Sequence, residues 1–517
     1  MKKLITLFAL SLLLNSTTWA QPGSLDATFD TDGIAQLSPG TLHDVAYAID
    51  LQGDQKIVFT GVTRISSSLP YIFDLVVGRL NADGSLDETF ATNGIYSLAS
   101  AGGSVFGYDL KIQPDGKIVI CGGYSVTEEN SDFIVLRLNS DGTPDVTFGE
   151  GDGISIIPVA SGLDYAYELE FLPGGEILLA GSASELGFSF NSGIVMRLLG
   201  DGTLDASFGN AGFTSLQLSS VSSESFTCME VLNSGKIVTA GLSTVDMDNL
   251  LVAAFNADGT PDLTFATNGV HTGTSMSQAF DMVSDGSALY LSGRISSTSG
   301  FDMVISSFDT SGIINASFGT GGSVVATYNP IDAALGITLQ PDGKILCVGA
   351  SGQGMFGNRD MLVARYLPTG AIDPTFAGTG YAIIPASPNF EEASAVALQS
   401  DGKIVLAGFA SFTDNDIVFM RLNNELESGI SFSEEESDIT IYPVPMTEGT
   451  LWIQTTEGFG STALVELFDM RGTLIATKAA NMRGSLIEFP IPPYLASGAY
   501  MLRVSSERRV ISRMVVR

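Results

Sequence analysis

Between residues 105 and 155, apolar and polar positions alternate in short runs broken by Gly, Asp, Asn and Pro. The run that reaches Ile112 follows the period of two expected of a half-buried strand. Pro114-Asp115-Gly116 is turn chemistry, and Lys117 to Gly122 is rich in Ile and Val. Asp132 to Asn139 is apolar on both faces, as in a strand covered on both sides by neighbouring sheets. Ser140-Asp141-Gly142 is a second turn, and Thr143 to Phe148 is expected to begin a fourth strand. No helical periodicity interrupts the pattern.

Two motifs recur through the next four hundred residues. Leu-Asp-x-Thr-Phe ends at Phe29, Phe90, Phe148, Phe208, Phe265, Phe318 and Phe376, at steps of 53 to 61 residues. Gln-Pro-Asp-Gly-Lys-Ile is clearest at 113–118, 340–345 and 399–404, with weaker copies at 52–57, 172–177, 232–237 and 283–289. Repeats of this period are stacked supersecondary units. Four antiparallel strands in each of seven units predict an all-β chain built as a seven-bladed β-propeller over residues 21–430. A β-solenoid is the rival. The chain ends favour the propeller. The repeats open on an isolated Leu-Asp-x-Thr-Phe motif, Gly23 to Phe29, and close on a unit that stops at Asn423 without one. The N-terminal strand is therefore expected to complete the last blade, leaving no long open edge.

The second turn sets a register. A three-residue loop with Gly in the left-handed position pairs Asn81 with Ser85, and so places Leu80 opposite Leu86 and Arg79 opposite Asp87. The same spacing opposes Arg137 to Asp145, Arg197 to Asp205 and Arg365 to Asp373, while Ser307 meets Asn315. Asp262 faces Ala254 and is expected to lack a partner. Arg421 has no local Asp, and Asp26 is expected to close the blade against it. Opposed charges of this kind contribute roughly 0.2–1 kcal/mol each.

The chain begins with Lys2, Lys3 and an apolar run from Leu4 to Leu14, followed by Trp19-Ala20. This is signal-peptide patterning, with cleavage expected after Ala20, and the run is too short to span a bilayer. Residues 431–441 read as an acidic Ser/Glu linker. Strand-like runs in 442–517 suggest a small C-terminal β-sandwich.

The ordered repeats in 21–430 resemble the bacterial delta-60 repeat, a β-propeller family of largely unassigned function. The tail resembles the type A C-terminal sorting domain of the type IX secretion system. That likeness rests on Tyr442, Pro443, Pro445, Asp469, Gly472, Gly498, Tyr500 and Arg503, with Val444 where Asn is usual. It implies recognition by the type IX machinery and delivery to the medium or the outer cell surface.

Charge and composition narrow the chemistry. The chain has 57 acids, 24 bases and a formal charge of −33. Residues 21–430 account for −33, whereas the tail from Arg471 onward is +6. This excess of negative charge excludes nucleic acid as a partner. Two His residues, His43 and His271, leave little room for His-based catalysis, and Cys121, Cys228 and Cys347 read as buried thiols. No later segment reads as a membrane span, and a monomer is expected. No cofactor is expected. The Asn-x-Asp-Gly-x-x-Asp loops at 81–87, 139–145 and 256–262 have calcium as an alternative reading, set against the turn and ion-pair roles of the same residues. The expected function is a non-enzymatic surface or secreted binding protein for an extracellular protein or glycan. Its variable loops would be Thr63–Tyr71, Tyr124–Ser131 and Ser351–Asn358. The alternative is an extracellular hydrolase or lyase with an acidic site in the channel, whose mark would be converging acids of raised pKa.

Overall fold

Among the described residues every named element is a β-strand. The computed structural model describes residues 21–424 and 439–516, apart from 128, 188–189, 246–248, 274–275, 299, 355–356, 443–449, 456–461, 470–473, 482–485, 492–498 and 507–509. The expected signal peptide with Ala20 lies outside them, as do residues 431–438 of the expected linker. Two compact units are present, Met1–Leu426 and Glu427–Arg517.

The first unit repeats one sheet. Its first copy runs antiparallel through an inner strand Asp44–Leu51, a second Ile57–Arg64, a third Phe73–Leu80 and an outer strand Ile95–Leu98. Five such four-stranded sheets occur, together with an eight-stranded sheet in which two copies meet at a parallel bridge, Phe301 to Ile331. The second and third strands are almost wholly buried, as their uninterrupted Val, Ile and Leu require. Each inner strand lies against the next, and Asp44–Leu51 also lies against the last, Glu391–Leu398.

The outer strand differs from its expectation. Thr143 to Phe148 makes only a bridge, Leu138 to Pro144, and then turns. The fourth strand comes after the motif, at Ile154–Ile157. The Asp of the motif explains this: Asp145 Oδ1 accepts hydrogen bonds from the backbone N–H and hydroxyl of Thr147, a local turn that competes with strand pairing.

The Phe that ends each motif is buried and packs under the Gly turn of the following copy. A Cβ on Gly84 would lie 3.0 Å from the ring of Phe29, and Gly142, Gly202, Gly259, Gly312 and Gly370 meet Phe90, Phe148, Phe208, Phe265 and Phe318 in the same way. Gly84 also has φ +91°, which disfavours any side chain there. Just after each Phe a backbone N–H donates to a carbonyl of that turn, from Asp30 N to Asp83 O (2.8 Å) through to Ala377 N to Pro22 O (2.7 Å).

That last link joins the two ends of the repeat region. Gly23 N donates to Asn423 O at 2.6 Å and Asn423 N to Ser24 O at 2.9 Å. Asn81, Gly84 and Ser85 make the same bonds within one hairpin. The final turn is thus assembled from two distant pieces of chain, and Ile34–Leu37 pairs with Asn415–Leu422 as the outer strand.

Arg421 Nε donates to Asp26 Oδ2 at 2.7 Å, as Arg79 does to Asp87 and Arg137 to Asp145. Each Arg also lies over the Phe of its own motif, with Arg421 4.9 Å from the centroid of Phe29. The Lys of the Gln-Pro-Asp-Gly-Lys-Ile motif joins the same carboxylate: Lys56 meets Asp87 at 2.8 Å, Lys117 meets Asp145 at 3.0 Å and Lys403 meets Asp26 at 2.9 Å. Where the Gln-Pro-Asp-Gly-Lys-Ile motif carries its Lys, it supplies a further cation to the Asp of the other motif. Asp262 corrects the expectation of a partnerless acid. Lys236 reaches it at 2.8 Å and covers Phe265, replacing the absent Arg.

In the tail, a three-stranded sheet (Ile439–Tyr442, Thr450–Thr455, Leu486–Pro490) and a four-stranded one (Leu474–Asn481, Thr462–Asp469, Ala499–Ser506, Val510–Val516) contribute to one apolar cluster that includes Leu451, Ile453, Val465, Phe489 and Leu502. Strand structure therefore begins at Ile439, inside the stretch expected as linker.

Removing a cation from a buried ion pair typically costs about 3–5 kcal/mol. Arg421→Ala is expected to cost the lower end of that range, because Lys403 still serves Asp26, and to expose residues 21–37 to protease. Denaturant midpoints and limited proteolysis check this. Arg197→Ala, in a more exposed pair closed within one hairpin, is expected to cost less and to leave the N-terminal segment protected.

Candidate functional site

All the inner strands carry a bulge at the same point, for example between Ala46 and Ala48, Gly107 and Asp109, and Ala166 and Glu168. A bulge adds one residue and re-aims the side chains beside it. The added residue is Tyr47, Tyr108, Tyr167 or Phe280 in four strands and Thr227, Leu335 or Ser394 in the others. Residues from every inner strand line a single cavity of about 630 Å³. Tyr108 sits between Tyr47 and Tyr167, at ring-centroid distances of 5.6 and 5.2 Å, and forms an aromatic belt with them.

Charged residues on the same strands fill the cavity. Lys111 lies 3.4 Å from Glu168 and closer still to Glu170. Three acids act between copies: Asp50 Oδ2 accepts from Ile112 N at 2.8 Å, Asp109 Oδ2 from Leu169 N at 3.0 Å, and Asp281 Oδ2 from Ile337 N at 2.8 Å. Each donor belongs to the next inner strand. The carboxylates of Glu230 and Glu392 accept no hydrogen bond among the described residues, although both line the cavity.

Burial dominates the electrostatics. It pushes Asp50, Asp109, Glu168, Asp281 and Glu392 above the usual carboxylate range, and like charges nearby reinforce it for most of them. Glu230 is raised to about 7 by burial and by the charge of Glu170. Lys111 moves up despite its burial because Glu168, Glu170 and Asp109 surround it. A second set of buried acids closes the inner-strand starts. Asp164 accepts from Ala160 N at 2.7 Å and Val159 N at 3.0 Å, and burial raises it to about 6.

The residues singled out in the sequence lie elsewhere. Asp26 and Arg421 meet at the joined turn, not in the cavity. Tyr500 is buried in the tail core, and Arg503 pairs with Glu466 at 2.8 Å. Tyr442 pairs with Trp452 and Asp469 with Tyr500 in strand register. Pro443, Pro445, Gly472 and Gly498 lie outside the described residues. The loops weighed for calcium use their carboxylates locally: Asp83, Asp141 and Asp258 each accept from the N–H and hydroxyl two residues on. Among the described residues no group of three or more His, Cys, Asp and Glu side chains is placed to hold a metal ion. The three Cys residues are buried and unbridged, and burial raises their thiols. The cavity acids were missed in the sequence. Their signal was present as Asp109-Leu110-Lys111 and Glu168-Leu169-Glu170, charges at alternate positions of otherwise apolar strands.

The β-propeller family described as a domain of unknown function, DUF5122, matches residues 52–90, 113–148, 173–208, 340–376 and 399–425. The secretion system C-terminal sorting domain family matches 440–517. The chain carries DUF5122 β-propeller repeats and a C-terminal sorting domain. The sorting domain directs it to the medium or the outer cell surface. No curated protein matches. Solved structures similar to it include a protein of unknown function from Dyadobacter fermentans (10% identity, 76% of this chain and 98% of that one, TM-score 0.43). A hypothetical protein from Leishmania major gives 16% identity over 51% of this chain and 85% of that one, at TM-score 0.24. An endo-arabinase from Bacteroides thetaiotaomicron gives 10% identity over 79% and 98%, at TM-score 0.29.

Five stretches match DUF5122, four running from the first turn to a motif Phe and the last ending at residue 425. Three of them contain a Lys–Asp–Phe set, those of Lys56, Lys117 and Lys344, and all five omit the inner strands that line the cavity. The residues that line the cavity thus lie outside the matched stretches.

The raised acids set a pH dependence. A carboxyl whose folded pKa lies above its unfolded one stabilises the fold below the unfolded value and loses that contribution as pH rises. Glu230, at about 7, and Asp164, at about 6, lose theirs between about pH 4 and 7. Asp262, held at about 2 by hydrogen bonds from Lys236 and Thr264, keeps its contribution until well below pH 4. The melting temperature is expected to be highest near pH 5 and to fall toward pH 8. A thermal series across that range checks it, and Glu230→Gln is expected to flatten the fall.

Proposed function

We propose that this exported chain is a non-enzymatic binding protein whose repeat region, residues 21–430, is a seven-bladed propeller closed by its N-terminal strand. Cleavage after Ala20 releases it from its signal peptide, and a linker, 431–441, joins it to a sorting β-sandwich, 442–517, handled by the type IX machinery. The chain works as a monomer and takes an extracellular ligand at the mouth of the central cavity. The cyclic contacts of the inner strands and the turn shared by Gly23 and Asn423 support the ring. The observation that carries the binding reading is the use of the cavity acids. Asp50, Asp109 and Asp281 bind backbone N–H groups of the next blade, and Glu168 and Glu170 hold Lys111, so these carboxylates act as struts. A general acid–base pair needs carboxyls that can reach a substrate proton.

Glu230 favours a second reading, an extracellular hydrolase or lyase, because it is raised to about 7 and takes no hydrogen bond among the described residues. Incubating the purified protein with a panel of polysaccharides is expected to yield no cleavage products. Turnover that disappears in Glu230→Gln would establish the enzyme instead.

Deleting 442–517 and fractionating cells is expected to leave the protein cell-associated, absent from the medium and the outer surface. Unchanged recovery there would refute the sorting role.

A further inference from the structure

One place near the start of each third strand is acidic almost throughout the repeat region. Two residues before the one opposite the Gly of the second strand stand Asp74, Asp132, Asp302, Asp360 and Asp416, with Asn249 in a further copy. The copy that contains Ile177–Ser184, Asn191–Leu198 and Phe213–Leu216 has Ser192 there. Asp416 shows what the carboxylate does. It accepts from Gln36 Nε2 at 2.6 Å and from Ser38 Oγ at 2.7 Å, so the end of the outer strand is drawn across the sheet. By register, Ser215 and Gln217 stand where Gln36 and Ser38 do. With Ser192 in place of Asp they line an open cleft of about 440 Å³, together with Ile194 and Phe213.

A second cleft, of about 480 Å³, shares Ser184 and Glu185 with the first and is lined also by Glu129, Leu163 and Leu186. Large apolar side chains stand in the open around both. Leu186 is 55% exposed, Leu163 37%, and Phe190, on the first cleft, 36%. Clustered exposed apolar groups with a polar rim mark a surface made for a partner. The charges on this rim have one sign. Glu129 and Glu185 are exposed, and from residue 118 to 235 the only bases in the chain are Arg137 and Arg197. Both of those are spent on Asp145 and Asp205 at the motif turns, at the other end of their strands. The complementary partner therefore carries apolar side chains and positive charge together. A neutral sugar would leave the two carboxylates unmet, and an acidic segment would be repelled.

We propose that this face binds a free cationic amphipathic peptide, with apolar side chains in the two clefts and a basic side chain on Glu185 between them. Its residues do not line the central cavity, so the inference is independent of the ligand proposed there.

The test is fluorescence anisotropy on the full mature chain with three labelled synthetic peptides of one length: an amphipathic Leu/Lys peptide, its Leu/Glu counterpart and a Ser/Lys peptide. The Leu/Lys peptide is expected to bind at least 10-fold more tightly than either of the others. Ser192→Asp, which restores the residue that most copies carry, is expected to weaken it about 10-fold by closing the first cleft. Leu186→Ser and Glu185→Gln are expected to do the same, whereas Val146→Ser, an exposed apolar site at a motif turn, leaves binding unchanged. None of these changes removes a buried contact, so thermal unfolding should stay as in the parent and separate lost binding from lost fold. The proposal is overturned if the Leu/Lys peptide does not bind at millimolar concentration, or if Ser192→Asp and Leu186→Ser bind it as the parent does. Equal binding of the Ser/Lys peptide would also overturn it, by reducing the effect to the general attraction of an acidic chain. Sedimentation is expected to show a monomer; a dimer lost in Leu186→Ser would give the face to a second copy instead. Displacement of the peptide by maltotriose would give the clefts to a sugar and sink the peptide reading.

Discussion

The contact on which the repeat region depends is a phenylalanine of one copy lodged under the glycine turn of the next. Burying such a ring is worth about 1.5–3 kcal/mol, and a backbone hydrogen bond to the same turn fixes its direction. The ion pair beside it is a supplement. Where Ser307 and Asn315 replace Arg and Asp, Phe318 is still buried and Asn315 N still donates to Ser307 O at 2.8 Å. The apolar contact and the backbone bond therefore define the joint, and the charges tune it.

The acidity of the chain divides into two populations. The motif acids are mostly buried, and cations and turn hydrogen bonds meet them. Against the cost of burial, Lys56, Thr89 and Arg79 hold Asp87 well below the usual carboxylate range. Acids of the inner strands crowd one cavity with one another, and their pKa values move the other way. A single formal charge of −33 thus conceals a scaffold stabilised by its carboxylates and a cavity strained by them. Strain of that kind is common at functional sites, and here it sits on strands outside the stretches that the DUF5122 family describes.

Much of the architecture was legible because it is local. The turn register around Asn81 to Asp87 follows from hairpin geometry, and the observed bonds match it. The join between Asp26 and Arg421 was legible because a motif missing at one end of the chain is present at the other. Two things were misread. The outer strand was placed on Thr143 to Phe148, since alternation does not reveal that Asp145 spends itself on a local turn. Asp262 was given no partner because only its directly opposed neighbour, Ala254, was considered, whereas Lys236 comes from a hairpin one strand further in.

By itself the sequence determined what short-range rules control: the strand pattern, the turns, the period of the repeat and the charged pairs across one hairpin; the sorting tail was legible through its resemblance to a known family. Tertiary structure decided the cavity. Its chemistry arises only when inner strands separated by tens of residues converge, each with a bulge that no spacing rule announces, and bring Lys111, Glu168, Glu230 and the tyrosine belt together. Burial there is a property of the assembled strands, so the direction in which each acid titrates cannot be read from its neighbours in the chain.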